Sequence, residues 1–155
     1  MEKIAVFAGS FCPFTKGHED ILQKALPLFD RVVVAIGHNF QKKDLFSVEE
    51  RMQWIREIYA DNPKVEVGSY QGLTVDFCRQ IGARYMVRGL RNAADYAAEQ
   101  EMALVNRKLN PEVETVFFLS DPDCAMISSS LVRELWSLGA DYAPFLSYKL
   151  PEKKA

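Results

Sequence analysis

The sequence predicts an α/β fold, a Rossmann-like doubly wound sheet of about five parallel strands with helices on both faces. Short apolar runs alternate along the chain with segments in which apolar residues recur at helical spacing. The runs are apolar almost throughout, which is typical of parallel strands that are buried on both faces. With 155 residues, 48% of them hydrophobic, the chain can form one domain with a substantial core.

The strands and helices are predicted in strict alternation. The strands cover residues 4–8, 32–36, 65–67, 85–87 and 113–119. The helices cover residues 19–29, 48–59, 75–81, 92–109 and 129–138. Ser47 and Glu50 form the S-x-x-E pattern of a capping box, which indicates the start of the second helix. Gly82 and Gly139 indicate where the third and the last helix end.

The segment Gly9-Ser-Phe-Cys-Pro-Phe-Thr-Lys-Gly-His18 joins the first strand to the first helix. At such a junction, free backbone N–H groups and the positive end of the helix point at one spot, where an anion can bind. His18 lies at this spot and can donate a hydrogen bond to a developing negative charge, which is a catalytic role. Its position alone fits an ordinary surface histidine at a helix start equally well.

The segment Arg88-Gly-Leu-Arg91 follows the fourth strand. Two arginines on one turn suggest a fork that binds phosphate, although an isolated surface arginine is normally a solvated charge. Ligands of parallel sheets bind beyond the carboxyl ends of the strands. One cleft can therefore hold both arginines together with Ser10 and His18.

Three serines, Ser128 to Ser130, lie at the start of the last helix. One serine in this position is commonly an N-cap. Three hydroxyl groups beside free backbone N–H groups can also form a nest that binds phosphate. Position alone leaves both interpretations open.

Four segments together resemble one known family. Residues 9–18 are similar to the G-[ST]-F-D-P-x-T-x-G-H frame of the nucleotidyltransferase superfamily, and residues 127–133 to its I-S-S-[ST]-x-[IVL]-R motif. Arg88-Gly-Leu-Arg91 with Asp95 and Glu99, and Lys42-Lys43 before the segment 46–51, match in the same order and at the same spacing. Through nearly its whole length, the chain resembles the phosphopantetheine adenylyltransferases.

This resemblance implies an enzyme of coenzyme A biosynthesis that transfers AMP from ATP to 4′-phosphopantetheine, giving dephospho-coenzyme A and pyrophosphate. It implies catalytic roles for His18, Lys42 and Arg91. It assigns the binding of phosphopantetheine to Ser10, Lys42, Thr74 and Arg88. It assigns the binding of ATP to a larger set: Ser10, Phe11, His18, Gly89, Leu90, Arg91, Glu99, Cys124, Ala125, Met126, Ile127, Ser128, Ser129 and Ser130.

The resemblance also implies Mg²⁺ as a cofactor, held mainly by the phosphate groups, so that no protein metal ligands are predicted. It implies a homohexamer, and coenzyme A as a feedback inhibitor. Leu73, Met102, Leu104 and Val105 are expected either to line the pantetheine channel or to form core or subunit contacts.

Cys12 departs from the family pattern, which usually has Asp at this position. The change removes a carboxylate near the phosphates, so other bonds must hold the turn. We do not expect Cys12 to act as a nucleophile, because the acceptor phosphate can attack directly and no covalent step is needed.

Composition narrows the remaining possibilities. A net charge of −2 argues against general nucleic-acid binding. No signal peptide and no run of transmembrane length is evident, and three cysteines without C-x-x-C spacing fit a cytoplasmic protein. Residues 1–150 are expected to form the single domain, and residues 151–155 a disordered tail.

Two other functions stay open on the sequence alone. One is a related transferase with a different acceptor, such as nicotinamide mononucleotide. The other is a catalytically silent nucleotide sensor, of which the exchange at Cys12 would be a sign.

Overall fold

A computed structural model describes residues 1–39 and 43–153, which form five β-strands and five α-helices in alternation. In chain order these are β1 (Ile4–Gly9), α1 (Lys16–Ala25), β2 (Arg31–Gly37), α2 (Val48–Ile58), β3 (Val65–Tyr70), α3 (Thr74–Ile81), β4 (Tyr85–Leu90), α4 (Ala93–Leu109), β5 (Glu114–Leu119) and α5 (Ser129–Ser137). Single turns of 3₁₀ helix cover Leu26–Leu28 and Ala143–Phe145.

The strands form one parallel sheet in the order β3-β2-β1-β4-β5. The predicted fold class and the alternation of elements are thus confirmed. The capping box of Ser47 and Glu50 is present, and Gly82 and Gly139 have φ of 73° and 69° just beyond the helices that they end.

The first helix differs from its prediction at both ends. It begins three residues earlier than predicted, at Lys16, because Thr15 caps it and brings the segment up to His18 into its first turn. It ends at Ala25, where Pro27 follows in a turn of 3₁₀ helix. Proline has no N–H group to continue an α-helix, so the predicted extension to residue 29 is wrong.

Both faces of the sheet are covered, as the apolar strands predicted. On one face, Ala5 and Phe7 of β1 pack with residues of α1 and α2, including Leu22 and Ile55. On the other face, Ile4, Val6 and Ala8 pack with α3, which contributes Val75 and Cys78. This alternation follows from the period of two residues along a strand.

The order of the strands reverses between β1 and β4, which makes their carboxyl ends the switch point of the sheet. Helix α1 lies close to this point. A Cβ atom added to Gly89 would come within 2.7 Å of Cγ1 of Ile21, so only glycine allows α1 to approach β4 so closely. Gly89 thereby helps to bring the start of α1, with His18, over the switch point.

No helix within residues 1–39 and 43–153 combines the length and the apolar character that crossing a bilayer requires. The disordered tail stays a prediction. Of its described residues, Pro151 accepts a hydrogen bond from Nε1 of Trp136 at 2.8 Å, and Nζ of Lys153 donates to the carbonyl of Ser137.

Candidate active site

A cavity of about 310 Å³ opens at the switch point, between the ends of β1 and β4 and the starts of α1 and α5. The structure brings most of the predicted site residues together in its wall. These are Ser10, Phe11, His18, Arg88, Gly89, Arg91, Glu99, Cys124, Ile127, Ser128 and Ser129. The expectation that one cleft holds Ser10, His18 and both arginines is therefore met.

None of the other predicted site residues that the structure describes lines this cavity. Leu90 ends β4, and Ala125, Met126 and Ser130 lie beside the residues that do line it. Thr74 lies at the start of α3, where its hydroxyl group is 2.6 Å from that of Tyr70. Lys42 lies outside the described residues, so its predicted role stays a prediction.

His18 is part of a capping box at the start of α1. The backbone N–H of His18 donates to Oγ1 of Thr15 at 3.4 Å, and the backbone N–H of Thr15 donates to Nδ1 of His18 at 2.9 Å. A glutamate or glutamine usually occupies the histidine's position in this motif. The imidazole ring therefore acts as a helix cap through Nδ1 and leaves Nε2 for the cavity.

Three phenylalanine rings fix the plane of this imidazole. The ring of Phe14 stacks on it with centroids 5.2 Å apart, and Phe11 and Phe7 approach edge-on at 5.0 and 6.2 Å. Burial in this setting, with the charges of Arg88 and Arg91 nearby, lowers the pKa of His18 to about 3. The ring is therefore neutral near pH 7.

The turn before His18 is held from outside through its carbonyl groups. Phe11 has a φ of 45°, a left-handed conformation that non-glycine residues rarely adopt, so the turn needs support. Four side chains from other elements donate to its carbonyls: Arg51 to Ser10 at 2.6 Å, Arg133 to Cys12 at 2.7 Å, Ser129 to Pro13 at 2.7 Å and Tyr148 to Phe14 at 2.5 Å.

Arg51 is a buried charged residue, whose side chain is only 1% exposed. Its guanidinium group donates to the carbonyl groups of Ser47 and Ser10 and pairs with Asp44 at 2.9 Å. A buried charge needs such partners to offset its loss of hydration. Arg51 thus ties the residues that follow Lys42 in sequence to the turn that carries Ser10.

The side chain of Cys12 is buried in an apolar cluster. Its neighbours there include Phe46, Val132 and Leu146. A thiol suits this environment better than the carboxylate that the family usually has here, because burial penalises a charged group. The turn is held at this residue through its carbonyl group, to which Nη1 of Arg133 donates at 2.7 Å.

Arg88 is held in place before any ligand arrives. Nε and Nη2 donate to the two carboxylate oxygens of Glu99 at 2.7 and 2.5 Å, and Nη1 donates to the carbonyl of Ala8 at 2.7 Å. The hydrogen bonds to Glu99 raise the pKa of Arg88. These contacts use three of the five N–H donors of the guanidinium group, which leaves two for an anion in the cavity.

Arg91, three residues further along the chain, is held by a carboxylate in the same way. Its Nε and its backbone N–H donate to one oxygen of Asp95 at 3.1 and 2.9 Å, and Nη2 lies 3.3 Å from the other oxygen. The hydrogen bonds from Arg91 lower the pKa of Asp95, which stays ionised. The carboxylates of α4 therefore orient both arginines.

The serines at the start of α5 mainly use their hydroxyl groups within the protein. Ser128 is the N-cap and accepts from the N–H of Leu131, Ser129 donates to Pro13, and Ser130 accepts from Arg133. The backbone N–H groups of Ser129 and Ser130 have no partner within the described part of the chain. They can thus bind an anion together with the positive end of the helix.

Sequence reasoning did not assign Thr15, Arg51 and Tyr148 to the site. Thr15 stands in the T-x-G-H part of the motif, and the capping pattern would have identified it if histidine had been considered at the third helical position. Arg51 and Tyr148 lie 41 and 134 residues from the groups that they contact, so no local pattern reveals them.

Comparison with known proteins supports the same assignment of the fold. The cytidylyltransferase-like family matches residues 6–135 of the chain. The phosphopantetheine adenylyltransferase of Flavobacterium psychrophilum is 47% identical over 139 residues, which cover 90% of this chain and 91% of that protein. The phosphopantetheine adenylyltransferase of Cytophaga hutchinsonii is 44% identical over 150 residues, which cover 97% of this chain and 100% of that protein.

Solved structures with a similar fold are more distant in sequence. A bifunctional NMN adenylyltransferase/ADP ribose pyrophosphatase from Francisella tularensis has a TM-score of 0.74 at 20% identity, covering 97% of this chain and 46% of that chain. The nicotinic acid mononucleotide adenylyltransferase of Plasmodium falciparum has a TM-score of 0.67 at 16% identity, covering 95% of this chain and 91% of that chain. These likenesses support the fold alone, whereas the sequence relatives identify the family. The chain belongs to the cytidylyltransferase-like family and, within it, to the phosphopantetheine adenylyltransferases.

Proposed function

We propose that the protein transfers AMP from ATP to 4′-phosphopantetheine and releases dephospho-coenzyme A and pyrophosphate, a step of coenzyme A biosynthesis. The observation that carries this proposal is the sequence identity of 44–50% to phosphopantetheine adenylyltransferases, which extends over about nine-tenths of the chain. The cavity at the switch point agrees with it, because its wall combines a histidine, two arginines and the start of a helix.

In this reaction, a phosphate oxygen of phosphopantetheine attacks the α-phosphorus of ATP, and the bond from that phosphorus to the oxygen of the pyrophosphate group breaks. The attacking oxygen is already anionic near neutral pH, so no strong base is needed. The site must instead position two phosphate groups and stabilise the charge that develops on them. Neutral His18 suits this task as a hydrogen-bond donor through Nε2.

Different groups of the site would bind the phosphates of the two substrates. Arg88, together with Lys42 and Ser10, would bind the phosphate of the acceptor. Arg91 and the N–H groups of Ser129 and Ser130 would bind the phosphates of ATP, including the leaving pyrophosphate. Because Glu99 and Asp95 already orient the arginines, little side-chain entropy is lost when substrate binds.

Mg²⁺ fits this site as a partner of the phosphates. Within residues 1–39 and 43–153, no group of three or more His, Cys, Asp or Glu side chains could hold a metal ion. The carboxylates of the cavity, Asp95 and Glu99, are engaged by arginines. Bound to ATP, the ion would neutralise phosphate charge, while the chain supplies arginines, His18 and backbone N–H groups.

The assembly, the regulation and the location belong to the same proposal. Helix α4 has no buried residue in the single chain and exposes Met102, Leu104 and Val105, which supports burial between subunits of a homohexamer. Coenzyme A shares the phosphopantetheine and adenylate parts of the product, so it would compete for the cavity as a feedback inhibitor. The protein would act in the cytoplasm.

The decisive experiment measures pyrophosphate release from ATP and Mg²⁺ with three acceptors in parallel. We expect turnover with phosphopantetheine, little with pantetheine, which lacks the attacking phosphate, and none with nicotinamide mononucleotide. Faster turnover of nicotinamide mononucleotide would reassign the acceptor. ATP binding without turnover of any acceptor would indicate a nucleotide sensor.

A further inference from the structure

One peptide group connects a tyrosine near the end of the chain to the imidazole of His18. The hydroxyl of Tyr148 donates to the carbonyl of Phe14 at 2.5 Å. The N–H of Thr15 donates to Nδ1 of His18 at 2.9 Å. That carbonyl and that N–H are the two ends of the same planar peptide bond, so neither can turn without the other. We call this sequence of contacts the Tyr148–His18 hydrogen-bond chain.

In the Tyr148–His18 hydrogen-bond chain, the donor and the acceptor of each bond are fixed. A carbonyl oxygen only accepts, so Tyr148 must donate its proton. A backbone N–H only donates, so Nδ1 of His18 must accept with its lone pair, and the proton of the neutral ring lies on Nε2. The opposite tautomer, or a protonated ring, would place two N–H groups against each other.

Tyr148 is itself held firmly for this task. Its ring stacks on that of Trp54 in α2, with centroids 5.3 Å apart and planes 22° apart. Burial, with the charge of Glu19 nearby, raises the pKa of Tyr148, so the hydroxyl keeps its proton. The neighbouring Ser147 donates to Glu19 of α1 at 2.6 Å, which fixes the segment against the same helix that carries His18.

We propose that Tyr148 is a positioning residue for adenylyl transfer, which orients the peptide group between Phe14 and Thr15 so that His18 is held as the tautomer that presents its Nε2 proton to the cavity. Donation to the carbonyl also polarises the peptide group and strengthens the bond from its N–H to the imidazole. The proposal rests on the proposed function, because it assumes that His18 acts as a donor in that reaction.

The test compares two tyrosine-to-phenylalanine variants from the same segment. Tyr148→Phe removes the hydroxyl and leaves the ring that stacks on Trp54. Tyr142→Phe is the matched control, because its hydroxyl contacts the backbone N–H and carbonyl of Leu150 at 2.9 and 3.4 Å. Two readouts are needed: the ¹⁵N NMR signals of the His18 ring without substrates, and kcat and KM with both substrates.

We expect Tyr148→Phe to shift the Nδ1 signal of His18 and to lower kcat about 3- to 10-fold, the range expected for one hydrogen bond, with each KM changed less than twofold. Tyr142→Phe should leave the spectrum and kcat as in the parent. A parent-like His18 spectrum and kcat in Tyr148→Phe, or equal changes in both variants, would overturn the proposal.

The parent protein provides a test that does not depend on the folding of a variant. At pH 7 its His18 signals should show an unprotonated Nδ1 and a protonated Nε2. A protonated Nδ1 would refute the hydrogen-bond chain. Failure of the proposed function is distinguishable, since it would appear as absent pyrophosphate release by a parent protein whose His18 spectrum is as expected.

Discussion

His18 accepts a hydrogen bond at Nδ1 in this structure, so a neutral ring can act on a group in the cavity only as a donor through Nε2. Its pKa of about 3 means that an imidazolium ion is not available near pH 7. The two arginines carry the positive charge of the cavity instead, and the histidine contributes a directed N–H group. The positive charge and the directed N–H group of the cavity thus belong to different residues.

Replacing His18 by alanine should therefore affect the chemical step more than substrate binding. We expect kcat to fall by about 10²–10³-fold, as when a donor to a developing oxyanion is removed, and the Kd of ATP to change little. Steady-state kinetics and calorimetric titration with ATP measure the two quantities. A variant that loses ATP affinity but keeps its kcat would contradict this role.

Stability should depend on pH through His18 in a predictable direction. Its pKa is about 3 in the folded protein and 6.5 as the ordinary value. Between these values the unfolded chain binds a proton that the folded protein does not, so the free energy of unfolding should fall as the pH drops from about 6.5 toward 3. Arg88 and Arg91 face the ring and oppose its protonation.

A His18→Gln variant lacks this contribution and serves as the comparison. Denaturant unfolding at several pH values should show a smaller loss of stability for the variant than for the parent over that range. Parallel curves for the two proteins would mean that His18 titrates normally in the folded state.

Cys12→Ser should keep most of the activity at a cost in stability. The carbonyl of Cys12, and not its side chain, is bonded to Arg133, and its thiol lies among apolar side chains. A hydroxyl group buried there without a partner costs about 1–3 kcal/mol. Unfolding measurements should show this loss while kcat stays close to that of the parent.

A covalent mechanism would give the opposite result for this variant. If Cys12 were a nucleophile, Cys12→Ser would be nearly inactive, and the parent mixed with ATP alone would gain the mass of one AMP. Intact-mass analysis distinguishes the two mechanisms.

At the scale of elements, the contacts between α4 and the end of β4 orient the two arginines of the proposed phosphate site. Helix α4 supplies Asp95 and Glu99, which are one turn apart. Glu99 holds Arg88 near the end of β4, and Asp95 holds Arg91 just after it. Their spacing of four residues puts both carboxylates on one face of the helix. The family resemblance assigns Glu99 to the nucleotide, which stays a prediction. In the structure, both oxygens of Glu99 accept from Arg88, the proposed ligand of the acceptor.

Arg88→Ala should consequently weaken phosphopantetheine more than ATP. Loss of a charge-assisted bond to phosphate predicts a rise of about 10-fold or more in the KM for phosphopantetheine. Arg107→Ala is the matched control, since Arg107 of the same region forms an exposed ion pair with Glu114. Equal rises in both KM values for Arg88→Ala would contradict the assignment to the acceptor.

The sequence predicted the five strands and five α-helices of the structure because their apolar periodicity is strong. It also placed the cavity, because strand ends and glycine-rich turns are local features. It did not reveal that four carbonyl groups of one turn are held by Arg51, Ser129, Arg133 and Tyr148. Those contacts depend on tertiary packing between distant segments, and a single sequence carries no local signal for them.

At the scale of the whole molecule, the apolar surface of α4 supports the proposed hexamer. Met102, Leu104, Val105 and Leu109 are each about half exposed on this one helix in the single chain. Scattered exposed leucines need no explanation, but several on one helix indicate an interface.

A charge placed on this helix should disrupt the assembly. We expect Val105→Glu to reduce the mass measured by light scattering from that of a hexamer to that of a smaller species. Leu138→Glu is the control, because Leu138 is 74% exposed and lies beyond α5. A hexamer that persists in Val105→Glu, or a monomeric parent, would contradict the role of this helix.

The four bonds to the turn at residues 10–14 have a consequence for how the protein is made. The donors lie 41, 116, 121 and 134 residues further along the chain than the carbonyls that they hold. During synthesis, the turn at residues 10–14 is translated more than 100 residues before three of its four supports, Ser129, Arg133 and Tyr148. The turn of a nascent chain should therefore take up its folded geometry only after residues 129–148 have left the ribosome.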